Sequence, residues 1–125
     1  MSESQKSDMQ VVFMTGTFSR EPRMSYTSSN RCFCKIGIGS TRYFDIDGET
    51  RSETLFLDGV LWDEQAEFTG KNLRKGDRVF IEASLSSEVW PTLDEGKAHS
   101  KLTLKIHRLI PIGWRGNPAL DDIEL

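Results

Sequence analysis

Thr54-Leu55-Phe56-Leu57-Asp58-Gly59-Val60-Leu61-Trp62, then Asp63 to Asn72, then Leu73-Arg74-Lys75-Gly76-Asp77 and Val79-Phe80-Ile81-Glu82-Ala83-Ser84-Leu85, is the stretch on which the fold turns. Its first nine residues alternate with a period of two. Leu55, Leu57 and Leu61 fall on one side of a strand, and Phe56, Asp58, Val60 and Trp62 fall on the other. Asp63 then offers an N-cap, and Glu64 and Glu67 stand where the positive end of a helix favours negative charge. A short helix is therefore expected to about Asn72. The Leu73 to Asp77 segment turns the chain into a β-branched and aromatic run at 79–85 that continues toward Trp90.

Upstream, residues 11–18 (Val-Val-Phe-Met-Thr-Gly-Thr-Phe) predict a first strand, with Gly16 marking a bulge or a close backbone approach. Glu21-Pro22-Arg23 turns the chain. A second strand is expected over 31–40, where Cys32, Cys34, Ile36 and Ile38 face the core and Phe33, Lys35 and Gly37 face outward. The polar segment Asp45 to Glu49 reads as the turn of a long hairpin. Downstream, Pro91 and Asp94-Glu95-Gly96 break the fourth strand, and a fifth covers about 101–110 with Leu102, Leu104 and Ile106 alternating with polar residues. Three strands, a short helix and two strands leave no long crossover helices for a parallel α/β sheet. The order predicts an all-β protein, a five-stranded Greek-key barrel of the oligonucleotide/oligosaccharide-binding (OB) type with one short helix between strands 3 and 4.

At 125 residues, one core suffices. The expected organisation is a disordered lead-in at 1–9, the OB domain at 10–112, and a short linker with an acidic tail at 113–125. No apolar run approaches the length of a membrane-spanning helix. The polar N-terminus lacks the layout of a signal peptide, so a cytoplasmic protein without membrane contact is expected. Sixteen Lys and Arg against nineteen Asp and Glu give a formal charge of −3. Asp121, Asp122 and Glu124 lie beyond the last basic residue, Arg115, so the body is neutral and carries an acidic tip. Composition alone does not advertise a nucleic-acid binder. Any such surface must come from arrangement.

Cys32 and Cys34 share a strand face two residues apart, a spacing awkward for a disulfide, and read as two small buried residues. His99 and His107 lack zinc-finger spacing. Asp45, Asp47 and Glu49 fail the EF-hand pattern, because Thr50 stands at its glycine position and Phe56 at its twelfth; a solvated hairpin turn is the simpler reading. No Walker loop, His-Glu-x-x-His motif or supportable Ser-His-Asp spacing occurs. No enzyme, no cofactor and no metal is expected.

The aromatics carry more. Phe56 and Trp62 share a strand face, Trp90 ends the strand after the helix, and Tyr43 and Phe44 lie on the first long hairpin. Such residues on a barrel surface suit stacking against bases, with core or subunit packing as the other reading. With them, the chain resembles the bacterial-type single-stranded DNA-binding proteins over roughly residues 10 to 112. The resemblance rests on Gly16, Glu21-Pro22 and Tyr26, the 32–39 strand, the segment from Phe56 to Trp62, and above all Asn72-Leu-Arg-Lys-Gly-Asp-Arg-Val-Phe-Ile-Glu82 followed by Trp90. It implies an OB fold, a homo-oligomer (a tetramer, otherwise a dimer), and sequence-independent binding of single strands in DNA replication, recombination and repair, at the nucleoid.

Stacking positions carried over are Phe56, Trp62 and Trp90, with Tyr43 or Phe44 as the fourth. Lys75 matches a basic position, and Lys35, Arg74, Arg78 and Lys105 complete the expected phosphate contacts. The tip Asp121-Asp122-Ile123-Glu124-Leu125 resembles the segment through which the family recruits replication, recombination and repair proteins, although it ends in Glu-Leu instead of Pro-Phe. The chain also departs from the family at Asp58, where an arginine is common, and at Ser86 to Val89, where a basic run is usual. Those departures support an alternative: an OB protein-protein adaptor of replication restart with weak DNA binding.

Overall fold

The computed structural model describes residues 5–91 and 98–113; within them, the side chains of 89–91 and 98–99 lie outside the description. In chain order the elements are β1 (Val12–Phe18), β2 (Arg23–Tyr26), β3 (Cys32–Ile46), β4 (Glu49–Trp62), α1 (Asp63–Asn72), β5 (Arg78–Pro91) and β6 (Ala98–Gly113). Five long strands run β1-β5-β6-β4-β3, and β1 returns to β3 through Thr17 opposite Gly39 and Phe18 opposite Ile38. That last pairing closes a barrel. All ladders are antiparallel except β4–β6, where Asp58 to Val60 run alongside Thr103 to Lys105. The helix lies between the third and fourth barrel strands, β4 and β5 in chain numbering, so the expected OB architecture is the observed one. Short β2 is an addition, pairing with Cys32 to Lys35 on the β3 edge that β1 uses further along.

The period-two pattern of β3 places Cys32, Cys34, Ile36 and Ile38 in the core, together with Phe18, Leu61, Val79, Ile81, Leu104 and Ile106. Both cysteines are free and buried. Gly16 marks a close approach instead of a bulge: its pairing with β5 is regular, and a Cβ there would sit 2.5 Å from Ile38 Cγ2. The β3–β4 hairpin is longer and tighter than expected. Asp47 and Gly48 both take positive φ (51° and 81°), which makes a two-residue turn between Ile46 and Glu49. Since residues 41–56 project past the barrel, Leu55 is exposed while Leu57 packs at the core's margin and Leu61 is buried within it. Leu102, also expected inside, is exposed for the same reason: it lies beyond the barrel mouth.

The helix begins differently from the sequence-based expectation. Trp62 occupies the cap position with no side-chain cap bond, and Asp63 takes φ 60° and turns its carboxylate to Arg31. What docks the helix is Gln65. A register shift after Glu82 leaves His107 as an extra residue in β6; Gln65 Nε2 donates to the His107 carbonyl (2.7 Å) and Gln65 Oε1 accepts from Leu109 N–H (2.9 Å). At the other end, buried Asp77 accepts the Arg74 N–H on Oδ2 (2.7 Å), and the turn is stitched to β1 by Phe18 N–H to Asp77 O and Gly76 N–H to Phe18 O, each 2.9 Å.

Candidate nucleic-acid interface

Residues directly opposite in a ladder share a face. The β3–β4 register therefore lines up Phe33 with Trp62, Lys35 with Val60, Gly37 with Asp58, Gly39 with Phe56 and Tyr43 with Ser52, all on the side away from the core. The neighbouring strands extend that side. Lys105 stands beside Val60 and Thr103 beside Asp58 on β6, and Ser84 and Ser86 follow on β5. Three aromatic stations thus run along one outward face, Trp62 with Phe33, then Phe56, then Tyr43, flanked by Lys35 and Lys105.

The stations differ in how firmly they are held. The Phe33 and Trp62 rings meet at 5.5 Å between centroids with a 42° tilt, and the Arg31 guanidinium lies 4.4 Å from the Trp62 centroid. Arg31 is fixed in turn by Asp63, Nε to Oδ1 at 3.0 Å and Nη2 to Oδ2 at 3.1 Å. Those hydrogen bonds hold the Asp63 carboxyl below the usual carboxylate range and raise the Arg31 guanidinium. Phe56 lies over Gly39, where a Cβ would meet Phe56 Cε1 at 3.0 Å, and its side chain stands largely in solvent. Tyr43, near the hairpin tip, is 75% exposed. A row of aromatic faces with lysines beside it can stack bases and neutralise phosphates.

A family model described as "Single-strand binding protein family" matches residues 9–111. The chain belongs to the single-strand binding protein family. Among relatives, the single-stranded DNA-binding protein of Wolinella succinogenes is 31% identical over 106 residues, covering 84% of this chain and 65% of the relative. That of Helicobacter hepaticus is 35% identical over 80 residues, covering 63% and 47%. The chain spans between 31% and 68% of the length of these and similar curated relatives. The crystal structure of wild-type single-stranded DNA-binding protein from Thermus aquaticus superposes with a TM-score of 0.71 at 27% identity, over 86% of this chain and 52% of that one. A Plasmodium falciparum SSB in complex with ssDNA superposes at 0.77 and 19% identity, over 86% and 97%, a likeness of fold.

On this single-strand binding family barrel, Phe56, Trp62, Tyr43, Lys35 and Lys105 share the outward face of one continuous sheet. Phe44 does not. Opposite Arg51, it turns to the side continuous with the barrel interior and is 37% exposed. Arg74, Lys75 and Arg78 lie at or just before the start of β5, well down the strand from Ser86. Arg74 Nη1 is engaged with the carbonyls of Leu73 (2.8 Å) and Gly70 (3.4 Å). Trp90 holds a register position opposite His99, but its side chain lies outside the described residues, as does the whole Asp121 to Leu125 tip. The acidic hairpin turn is occupied locally: Thr50 Oγ1 donates to Asp45 Oδ1 at 2.9 Å. Among the described residues no helix is long and apolar enough to cross a membrane, and no group of three His, Cys, Asp or Glu is placed to hold a metal ion.

Sequence reasoning missed four participants. Phe33 was visible as an outward residue, but its pairing with Trp62 needs the register. Arg31 was adjacent to the strand and carried no signal of its ring contact. Arg20 and Lys101 both reach Asp58 from 38 and 43 residues away. Outside this face, Phe13 and Phe80 stack at 6.1 Å on the outer surface of β1–β5, with Phe13 63% exposed.

Proposed function

We propose that the protein binds single-stranded DNA without sequence preference and serves replication, recombination and repair at the nucleoid in the cytoplasm. The observation that carries this reading is the outward row of Trp62, Phe56 and Tyr43 in one register, flanked by Lys35 and Lys105. Bases stack on the rings and phosphates meet the lysines. Trp90, Arg74, Lys75 and Arg78 belong to the proposed path on sequence grounds. Titrating intrinsic tryptophan fluorescence with poly(dT) at two salt concentrations tests it: saturable quenching that weakens with salt is expected, and no change at low salt refutes it.

The assembly proposed is a homotetramer, or a dimer. Over Val12 to Gly16, β1 pairs with β5 on one edge; its β3 pairing involves only Thr17 and Phe18, so an open edge beside exposed Phe13 favours pairing between copies. The segment Asp121 to Leu125 is proposed as a docking peptide for replication, recombination and repair proteins: Ile123 and Leu125 among three carboxylates suit an apolar pocket with a basic rim. Deleting 120–125 should leave folding intact and abolish capture of those partners. A second reading, the adaptor with weak DNA binding, draws support from the ion pairs that occupy Arg20, Arg31, Arg42, Arg51, Lys71 and Lys101. Tail-independent partner capture together with absent quenching would favour it.

A further inference from the structure

We infer that Asp58 is a resident competitor for the DNA phosphate: its carboxylate, in the floor of the outward groove, holds Arg20 and Lys101 and so sets how weakly, and with how shallow a salt dependence, a single strand binds. This rests on the single-strand reading and specifies its electrostatics. Asp58 stands mid-strand on the outward side of β4, between the Trp62 and Phe56 stations. Arg20 Nη1 donates to Asp58 Oδ1 at 2.8 Å, and Lys101 Nζ donates to Asp58 Oδ2. The guanidinium reaches Asp58 by lying across β3, where Nη2 also donates to the Ile36 carbonyl at 3.3 Å. Gly37 permits that path, since a Cβ there would meet Arg20 Nη1 at 2.9 Å and Ser19 Oγ at 2.8 Å.

The groove above is lined by Arg20, Lys35, Asp58, Ser86, Glu88 and Thr103. It is a place for a backbone phosphate by its lysine and hydroxyls, and an anion already occupies its centre. The Asp58 side chain is 30% exposed, and the hydrogen bond from Lys101, followed by that from Arg20, holds its carboxyl below the usual carboxylate range. A carboxylate and a phosphodiester carry the same single charge. An entering phosphate therefore gains from these two cations only the difference between two similar ion pairs, and cations that stay on Asp58 displace no counterions from the strand. Lys35, which no described acid pairs, remains the free cation of this groove.

The substitution Asp58→Asn keeps the shape and one acceptor while removing the charge. With both cations released to phosphate, the slope of log affinity against log salt should steepen by up to about 1.4, from about 0.7 per added contact on a single strand. That is an additional roughly sevenfold loss of affinity between 50 and 200 mM salt, with tighter binding at the low end. Asp47→Asn, at a turn position whose positive φ asparagine tolerates, removes one charge without releasing an ion-paired cation and should not steepen the slope. Lys101→Gln should cost more affinity in the Asp58→Asn background than in the parent. These are read by fluorescence titration with oligo(dT) across the salt range, with thermal unfolding of each variant alongside. An unchanged slope for Asp58→Asn, or weaker binding at unchanged melting temperature, overturns the inference, the second because Asp58 would then be positioning its cations for phosphate. Absence of binding by both parent and variant overturns the single-strand reading and this inference with it, whereas binding by both with equal slopes overturns this inference alone.

Discussion

Phe56→Ala and Trp62→Ala should lose comparable binding and unequal stability, because the two rings are held by different things. Phe56 is 68% exposed and rests on Gly39. Its removal therefore sacrifices little of the fold, about 0.5 kcal/mol for a surface site. Trp62 is half-buried between the Phe33 ring at 5.5 Å and the Arg31 guanidinium at 4.4 Å. An aromatic pair contributes about 0.5–1.5 kcal/mol and an exposed cation–π contact about 0.5–1, so Trp62→Ala should cost roughly 1–2.5 kcal/mol of folding free energy. Each ring stacked on a base contributes about 1–3 kcal/mol, which is roughly a 5- to 150-fold rise in dissociation constant for either variant. Fluorescence anisotropy of a labelled oligo(dT), with urea unfolding of the same samples, measures both quantities. If Phe56→Ala binds like the parent while Trp62→Ala loses affinity only as far as it unfolds, the outward row is a structural cluster and the stacking argument fails.

Gln65→Ala removes the partner of both the His107 carbonyl and the Leu109 N–H at the β6 bulge. It should destabilise the fold by about 1–3 kcal/mol in urea unfolding, and an unchanged midpoint would show that water replaces the amide. Gly16→Ala, with its Cβ forced to 2.5 Å from Ile38, should cost about 1–3 kcal/mol by overpacking, and a neutral result would mean β1 can back away from β3. Burial, reinforced by neighbouring Cys32 and opposed by a backbone hydrogen bond from Arg23, pushes the Cys34 thiol up to about 11. The unfolded chain then gives up this proton first, near 9.0, so stability is intact below that pH and is lost as pH rises toward 11; comparing urea midpoints at pH 8 and 10.5 should show a larger fall for the parent than for Cys34→Ala. Light scattering should give a multiple of the protomer mass, reduced by Phe13→Glu on the β1 surface, and a single-protomer mass for the parent would refute the proposed assembly.

Most of the barrel was legible because strand parity is a local property. Alternation alone put Cys32, Cys34, Ile36 and Ile38 inside, and the same alternation put Phe56 and Trp62 outside. The turn residues Asp47 and Gly48 announced the hairpin, and the Leu73 to Asp77 segment announced the entry to β5. Parity does not say where a barrel ends. Leu55 and Leu102 have the right period and are exposed because the hairpin and β6 run past the mouth. Nor does it find β2, whose Arg23-Met24-Ser25-Tyr26 alternates over four residues only, too few for the pattern to stand out, and is a strand because β3 offers it an edge.

The sequence by itself determined the order of elements, the inward set and the aromatic candidates, since each depends on neighbours close along the chain. Only the tertiary structure decided which candidates share a face and what each charge meets, because register and closure join residues that the chain holds far apart. It separated Tyr43 from Phe44 by one step of pleat. It placed Arg31 on the Trp62 ring and turned Asp63 from helix cap to ion-pair partner. And it made Asp58, which in the sequence stands where the family has a basic residue, the partner of two cations 38 and 43 residues away: Arg20, reaching across β3 from the β1–β2 connection, and Lys101, from β6.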